Sequence, residues 1–449
     1  MAFLFFAIIV AFVIIAYYFG NKELLSPWFL LCLAIFASYL IILINYSNWD
    51  VNINGTFILY IVTAIIAFGA GCLLVKALKP LPVRGVNGLI KVSVDDAALQ
   101  RRYPANIFII ISIICAALYI YKLLSDAGDA TSLSGKIRAI YEKIVNEDYS
   151  PGIFFNQLLE IVIAIAYVNT YRLMMRLFSK KDRLSIFKLL IPVFAAVIVI
   201  LISSDRNIFI RYAIYIVCLF VLFFIQNYKK KNANLKIVQI VIVFVLIFVL
   251  IFFLLGKAKQ YSSNLFNSLS IYGGSGLYNF NLWVEDFNEP LMYGKSTFFT
   301  FLNSLQSIFK SFGLDFGDFG LVTRFDPFIT YNSSNGYAYS SNIYTALKPY
   351  VEDFGYFGVV LFPFIIGAFY QWLFTRAKKS HYGFNWILFC MLIYPIIFFP
   401  ILEQLFRRFH LGFIYEIGWC AIIYFSVFGR RKNKTVTSVR LEDNVNEKR

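Results

Sequence analysis

Eleven runs of mostly apolar residues, each close to twenty residues long, follow one another down the chain, and they limit its fold more than any other feature. They lie at approximately 2–19, 27–46, 56–75, 104–124, 152–171, 187–203, 207–226, 235–256, 355–374, 383–401 and 410–428. A helix of roughly 20 residues crosses the hydrocarbon core of a bilayer, where a backbone has to satisfy its own hydrogen bonds. The pattern predicts an all-α polytopic transmembrane bundle of about 11 spans. Residue usage agrees, since 60% of the 449 residues are hydrophobic and only 15% are charged, far from a soluble globular chain. The first run has no basic flank before it and no small-residue cleavage site after it, so it reads as a retained span.

A formal net charge of +16 raises the question of nucleic acid. The placement of the charges argues against it, because they collect in the connectors between apolar runs. With the basic tail 429–449 in the cytoplasm, the cytoplasmic connectors hold 27 of the 41 Lys and Arg. That bias is the positive-inside rule, and an odd number of spans then puts the N-terminus outside. The tail itself is polar and reads as disordered. The six cysteines all fall within apolar runs, as small buried hydrophobes do.

The chain divides into spans one to eight (1–256), a long external segment (257–354) containing short helices, spans nine to eleven (355–428) and the tail (429–449). A long connector outside the membrane is the natural home of selective chemistry. This one carries two glycine-rich stretches, YGGSG and DFGDFG, which read as turns, and many aromatic rings. A second external connector, KIRAIYEKIVNE, places Ile137, Ile140, Tyr141, Ile144 and Val145 on one face of an amphipathic helix. No internal repeat relates the two halves, unlike the transporters built from repeats.

Two histidines and no Cys–His cluster speak against a zinc site, and the first external connector offers only Asp50, so no metal and no cofactor is expected. The external cations point to an anion. Arg206 opens span seven and Arg211 lies about 7 Å deeper, a depth at which a charge faces protein or water. Guanidinium forks suit phosphate oxygens. Arg206, Arg211, Arg324, Arg407, Arg408 and Lys348 are the anion-binding candidates. Several pairings compete with that role: Arg211 with Glu160, Arg324 with Asp326, and Arg407 with Glu403 four residues earlier. For proton transfer the candidates are His410, the one external imidazole, then Glu403, Asp353 and Glu352. Asp353 also reads as a cap or first-turn acid on the ninth span. Only Glu160 and Arg211 are read as charges within the membrane.

The order YGGSGLYNFNLWVEDF, YGKSTFFTFLNSL and SSNIYTALKPYVEDFGYFGVVLFPFIIG resembles the Wzy-type oligosaccharide repeat-unit polymerases of bacterial O-antigen and capsule synthesis. The SSDRNIFIRY hairpin is similar to that family's small-residue–Arg element between two spans, with Asp205 as a departure. The resemblance covers residues 200 to 370 and rests on pattern order, with NIYTALKPYVEDFG its most specific part. It implies a multi-pass protein of the bacterial inner membrane. A growing glycan on undecaprenyl diphosphate would pass to a repeat unit on a second undecaprenyl diphosphate at the outer, periplasmic face. Membrane lipids, a chain-length regulator and a flippase are the implied partners. The alternatives are an O-antigen ligase, a flippase or transporter of the same lipid-linked oligosaccharides, and a structural scaffold.

Overall fold

The computed structural model describes residues 1–78, 104–128, 132–146, 149–179, 185–203, 206–227, 235–244, 246, 265–314, 326–332, 338–379, 383–408 and 410–428. Its helices follow the apolar runs closely. They are α1 (Ala2–Phe19), α2 (Pro27–Ile44), α3 (Gly55–Leu78), α4 (Ala105–Asp126), α5 (Leu133–Asn146), α6 (Ile153–Ser179), α7 (Ile186–Ser203) and α8 (Arg206–Asn227). A short apolar helix α9 (Leu235–Phe244) follows. After it come α10 (Leu265–Asp286), α11 (Phe299–Ser311), α12 (Leu347–Lys379), α13 (Phe384–Leu392), α14 (Tyr394–Phe398) and α15 (Leu411–Phe428). Among the described residues, nine of these are long and apolar enough to cross a membrane. The rest of the eighth predicted span lies outside the described residues, as do DFGDFG, the tail and Asp205. The tenth is split into α13 and α14 with Pro395 in the first turn of the second piece, because proline cannot donate to the preceding turn.

Two groups of helices form the molecule. In one, α3 and α12 make the most extensive helix contact, flanked by α1, α2 and α10. In the other, α4, α6, α7, α8 and α15 pack together. The broken pair α13–α14 touches both groups, α13 lying on α8 and α12, and α14 on α2. The amphipathic helix α5 forms as expected, buries Ile140 and lies across α4 and α7. The six cysteines are buried and free.

The long segment departs from its sequence reading. YGGSG is not a turn but the middle of the 22-residue helix α10. Its glycines serve close packing: a Cβ at Gly273 would sit 2.4 Å from Ile41, and one at Gly276 2.6 Å from the carbonyl oxygens of Pro400 and Ile401. Buried amides seal the helix to the connector before α3. Asn281 Oδ1 accepts the Asn54 N–H at 3.0 Å, and Asn281 Nδ2 donates to the Asn52 carbonyl at 2.8 Å. A small antiparallel hairpin, β1 (Ile329–Asn332) with β2 (Ala338–Ser341), is the one sheet among the described residues.

These contacts gather the connectors 45–54, 326–332, 338–346 and 399–408 and the adjoining part of α10 at one end of the bundle. The opposite end is joined by Lys378 with Glu23 and by Lys76 donating to the Phe19 carbonyl at 2.6 Å.

Candidate functional site

The site is organised by a three-residue 3-10 turn, Phe406–Arg408, at the connector end. Glu403, 1% exposed, closes it. One carboxylate oxygen accepts the N–H groups of Leu405 at 2.8 Å and Phe406 at 2.9 Å, and the other accepts that of Arg407 at 2.9 Å. The Tyr350 hydroxyl donates to the same carboxylate at 3.3 Å. Burial pushes the Glu403 carboxyl above its usual range, against the pull of these N–H donors and of Arg407. Phe406 fixes the turn from below, its ring 5.2 Å from Phe298 and 5.5 Å from Phe362. The expected side-chain pair between Glu403 and Arg407 does not form in that way. A tight turn replaces the helix on which the two would have lain side by side, and Arg407 meets Glu403 through its backbone.

The two arginines of the turn then go to different partners. Arg407 reaches Asp326 at 3.3 Å. Asp326 also holds the Lys348 ammonium at 2.7 Å, and Lys348 is paired in turn with Glu352. The rings of Tyr344 and Trp283 stand 4.9 Å and 5.2 Å from that ammonium. Lys348 is thus 4% exposed with two carboxylates and two aromatic faces around it, the surroundings that let an ammonium leave water. Two cations and two carboxylates balance here, so an incoming anion finds no surplus positive charge in this group.

Glu352 and Asp353 clasp the strap 292–297. Ser296 Oγ donates to Glu352, and the N–H groups of Ser296 and Thr297 donate to Asp353 at 3.0 and 2.6 Å. The helix breaks at Gly355, with φ 58 and ψ −143, and this releases the carbonyls before it. Those of Glu352 and Asp353 accept the N–H groups of Met292 at 3.0 Å and Tyr293 at 3.2 Å. Asp353 therefore does not cap its own helix as predicted. The span proper resumes after the break at Gly355, and the Asp353 oxygens just before it are turned to the N–H groups of Ser296 and Thr297 in the strap.

The second arginine builds the other half of the site. Arg408 Nη2 lies 3.1 Å from Glu416 Oε2, and Arg211 Nη1 lies 3.2 Å from the same oxygen. The Arg408 guanidinium rests 4.2 Å over the Phe413 ring. Arg211 Nε donates to the Asn207 carbonyl at 3.3 Å. Glu416 is 2% exposed. Two guanidinium groups from segments about two hundred residues apart in sequence (|i−j| of 205 for Arg211 and Glu416) therefore converge on one buried oxygen atom. His410 sits beside them. A Cβ at Gly412 would lie 3.0 Å from the His410 ring and 3.6 Å from Glu160 Oε1, so imidazole and carboxylate flank that glycine. His410 Nδ1 accepts the Phe413 N–H at 3.3 Å, a capping contact on α15. Burial, and then the Arg211 charge, lower the His410 pKa, with Glu416 opposing.

Of the sequence candidates, the structure brings together Arg211, Arg408 and His410 in one group, and Arg407, Lys348 and Glu352 in the other. Arg324 lies outside the described residues, and so does the side chain of Arg206, which opens α8. The sequence reading passes over Glu416 and gives Asp326 only a local pairing with Arg324. Glu416 corrects the expectation of only two intramembrane charges: it is an acid inside the last apolar run, a signal present in the sequence and unused. Among the described residues no group of three or more His, Cys, Asp or Glu side chains is arranged to hold a metal ion.

These features define a class: an all-α polytopic helical bundle with membrane-length apolar helices and a buried site of paired charges at one end. No protein-family model, no curated protein and no solved structure matches the chain.

Proposed function

We propose that the chain is a glycosyltransferase of the inner bacterial membrane that joins lipid-diphosphate-linked oligosaccharide repeat units at the periplasmic face. The observation that carries this reading is the convergence of Arg211 and Arg408 on a single carboxylate oxygen at the connector end of the bundle. Departure of a lipid diphosphate from an anomeric carbon leaves negative charge on phosphate oxygens, and preorganised guanidinium groups in a water-poor site stabilise it. Their depth along the membrane-length helices suits a lipid headgroup. The opposite end carries Lys22, Lys76, Arg376, Lys378 and Lys379, as a cytoplasmic end should.

In this reading the acceptor hydroxyl attacks the anomeric carbon as the carbon–oxygen bond to diphosphate breaks. The hydroxyl proton passes to a carboxylate, for which the candidate in this reading is Glu160, half-buried beside Gly412. His410 accepts a backbone N–H at Nδ1, so its neutral ring carries the proton on Nε2. It then donates to a phosphate oxygen instead of acting as base. Glu403, Glu352 and Asp353 hold the turn and the strap and act as positioning residues. Arg407 and Lys348 are tied to each other through Asp326 and steady the turn that carries Arg408.

The test is the glycan ladder of a deletion strain complemented with Arg211→Ala or Arg408→Ala. Polymer yield is expected to fall roughly a hundredfold while single repeat units still reach the outer face. Repeat units trapped on the cytoplasmic side would favour a flippase. Normal polymer that never reaches lipid A core would favour a ligase.

A further inference from the structure

We infer that Glu416 is a resident counter-anion that makes the Arg211–Arg408 site selective for a diphosphate over the single phosphate of an ordinary phospholipid headgroup. The inference rests on the preceding reading, that a diphosphate enters this site. Both guanidinium groups aim at Glu416 Oε2, at 3.2 and 3.1 Å, so this carboxylate stands where an external anion would bind. The groups around it are Arg211 from α8 and Arg408 from the turn, which bond it, His410 at the exit of the turn and Tyr167 from α6, with Glu160 of α6 nearby beside Gly412.

A headgroup phosphate carries one negative charge, the same as the carboxylate it would replace. It also competes against a group tethered at high effective concentration. The exchange gives it no electrostatic gain and leaves Glu416 buried and unpaired, which is costly. A diphosphate brings more charge and several oxygens, enough for each guanidinium fork to be met by two of them. Only the diphosphate wins the exchange. The distinction matters in a membrane, where single-phosphate headgroups vastly outnumber any lipid-linked sugar and would fill an open pair of arginines.

The test uses the purified full chain in nanodiscs of phosphatidylcholine alone or of phosphatidylcholine with phosphatidylglycerol, titrated with inorganic pyrophosphate. Glu416→Gln is expected to bind pyrophosphate about tenfold more tightly than wild type in the neutral discs. It should lose that gain when phosphatidylglycerol is present, while wild type changes little between the two discs. Arg211→Ala added to Glu416→Gln should abolish the gain. Equal affinity and equal lipid dependence for wild type and Glu416→Gln overturn the inference, and so does the absence of pyrophosphate binding in both. If the glutamine variant does not fold, Glu416→Asp, retracted by one methylene, is expected to show a smaller rise, and no rise overturns the idea. A selectivity shift alongside an unaltered glycan ladder in Arg211→Ala cells keeps this inference and removes the polymerase reading. An altered ladder without the shift removes the inference alone.

Discussion

At the scale of single residues, His410 shows how a backbone contact decides what an imidazole can do. Its Nδ1 accepts the Phe413 N–H, and burial with the nearby Arg211 disfavours the charged ring. The folded-state pKa is therefore below the unfolded value of about 6.5. As pH falls through that value the unfolded chain takes up the proton first, so stability present above it is lost on acidification. Melting curves between about pH 5 and pH 8 should show this step, and His410→Asn, which keeps a capping acceptor, should lack it. An identical pH profile for the two proteins would show that His410 is not the titrating group. The sequence singled out His410, Arg211 and Arg408 because a charge or imidazole near a span end needs a reason. It did not single out their meeting point. Glu416 is one acid in an apolar run, and its link to Arg211 spans 205 positions that only folding brings together.

At the scale of elements, hydropathy located the membrane-length helices, because the cost of leaving backbone unpaired in lipid leaves little choice, although α6 runs on to Ser179 and α12 already starts at Leu347, well beyond their apolar runs. Helix contacts were less legible. YGGSG reads as a turn from glycine's conformational freedom, yet in α10 those glycines remove bulk where other segments cross. The same device joins α3 to α12. A Cβ at Gly71 would lie 2.1 Å from the Phe364 carbonyl oxygen, and one at Gly367 2.1 Å from that of Phe68. Small residues at such crossings let the backbones approach, which is how apolar helices associate in lipid. Gly367→Ala is therefore expected to destabilise the protein by roughly 1–3 kcal/mol through overpacking. Gly418→Ala, whose added Cβ would meet nothing within 4 Å, is the neutral control. The comparison is read by thermal unfolding in detergent, and equal melting temperatures for the two variants would refute the close-crossing account.

At the scale of the whole molecule, the turn 406–408 stands where the two helix groups meet, and Asp326 joins them there alongside the Tyr350–Glu403 and Phe362–Phe406 contacts. It holds Lys348, on the helix packed against α3, and Arg407, in the turn that leads into α15. The sequence reading gave Asp326 a local turn role beside Arg324, since nothing in the order of residues says that positions 348 and 407 come to it. With its side chain 18% exposed, the carboxylate is shielded enough for its loss to leave two cations poorly compensated. Asp326→Asn keeps the shape and removes the charge. It is expected to cost about 2–3 kcal/mol, at the lower end for a shielded pair that retains some solvent contact. Hydrogen exchange should then rise together in 347–353 and in 405–408, on both sides of the junction, while the α3–α12 crossing stays protected. A rise confined to one side would mean that Asp326 merely anchors its own loop, and that the two groups are held in register by α13 and α14 without it.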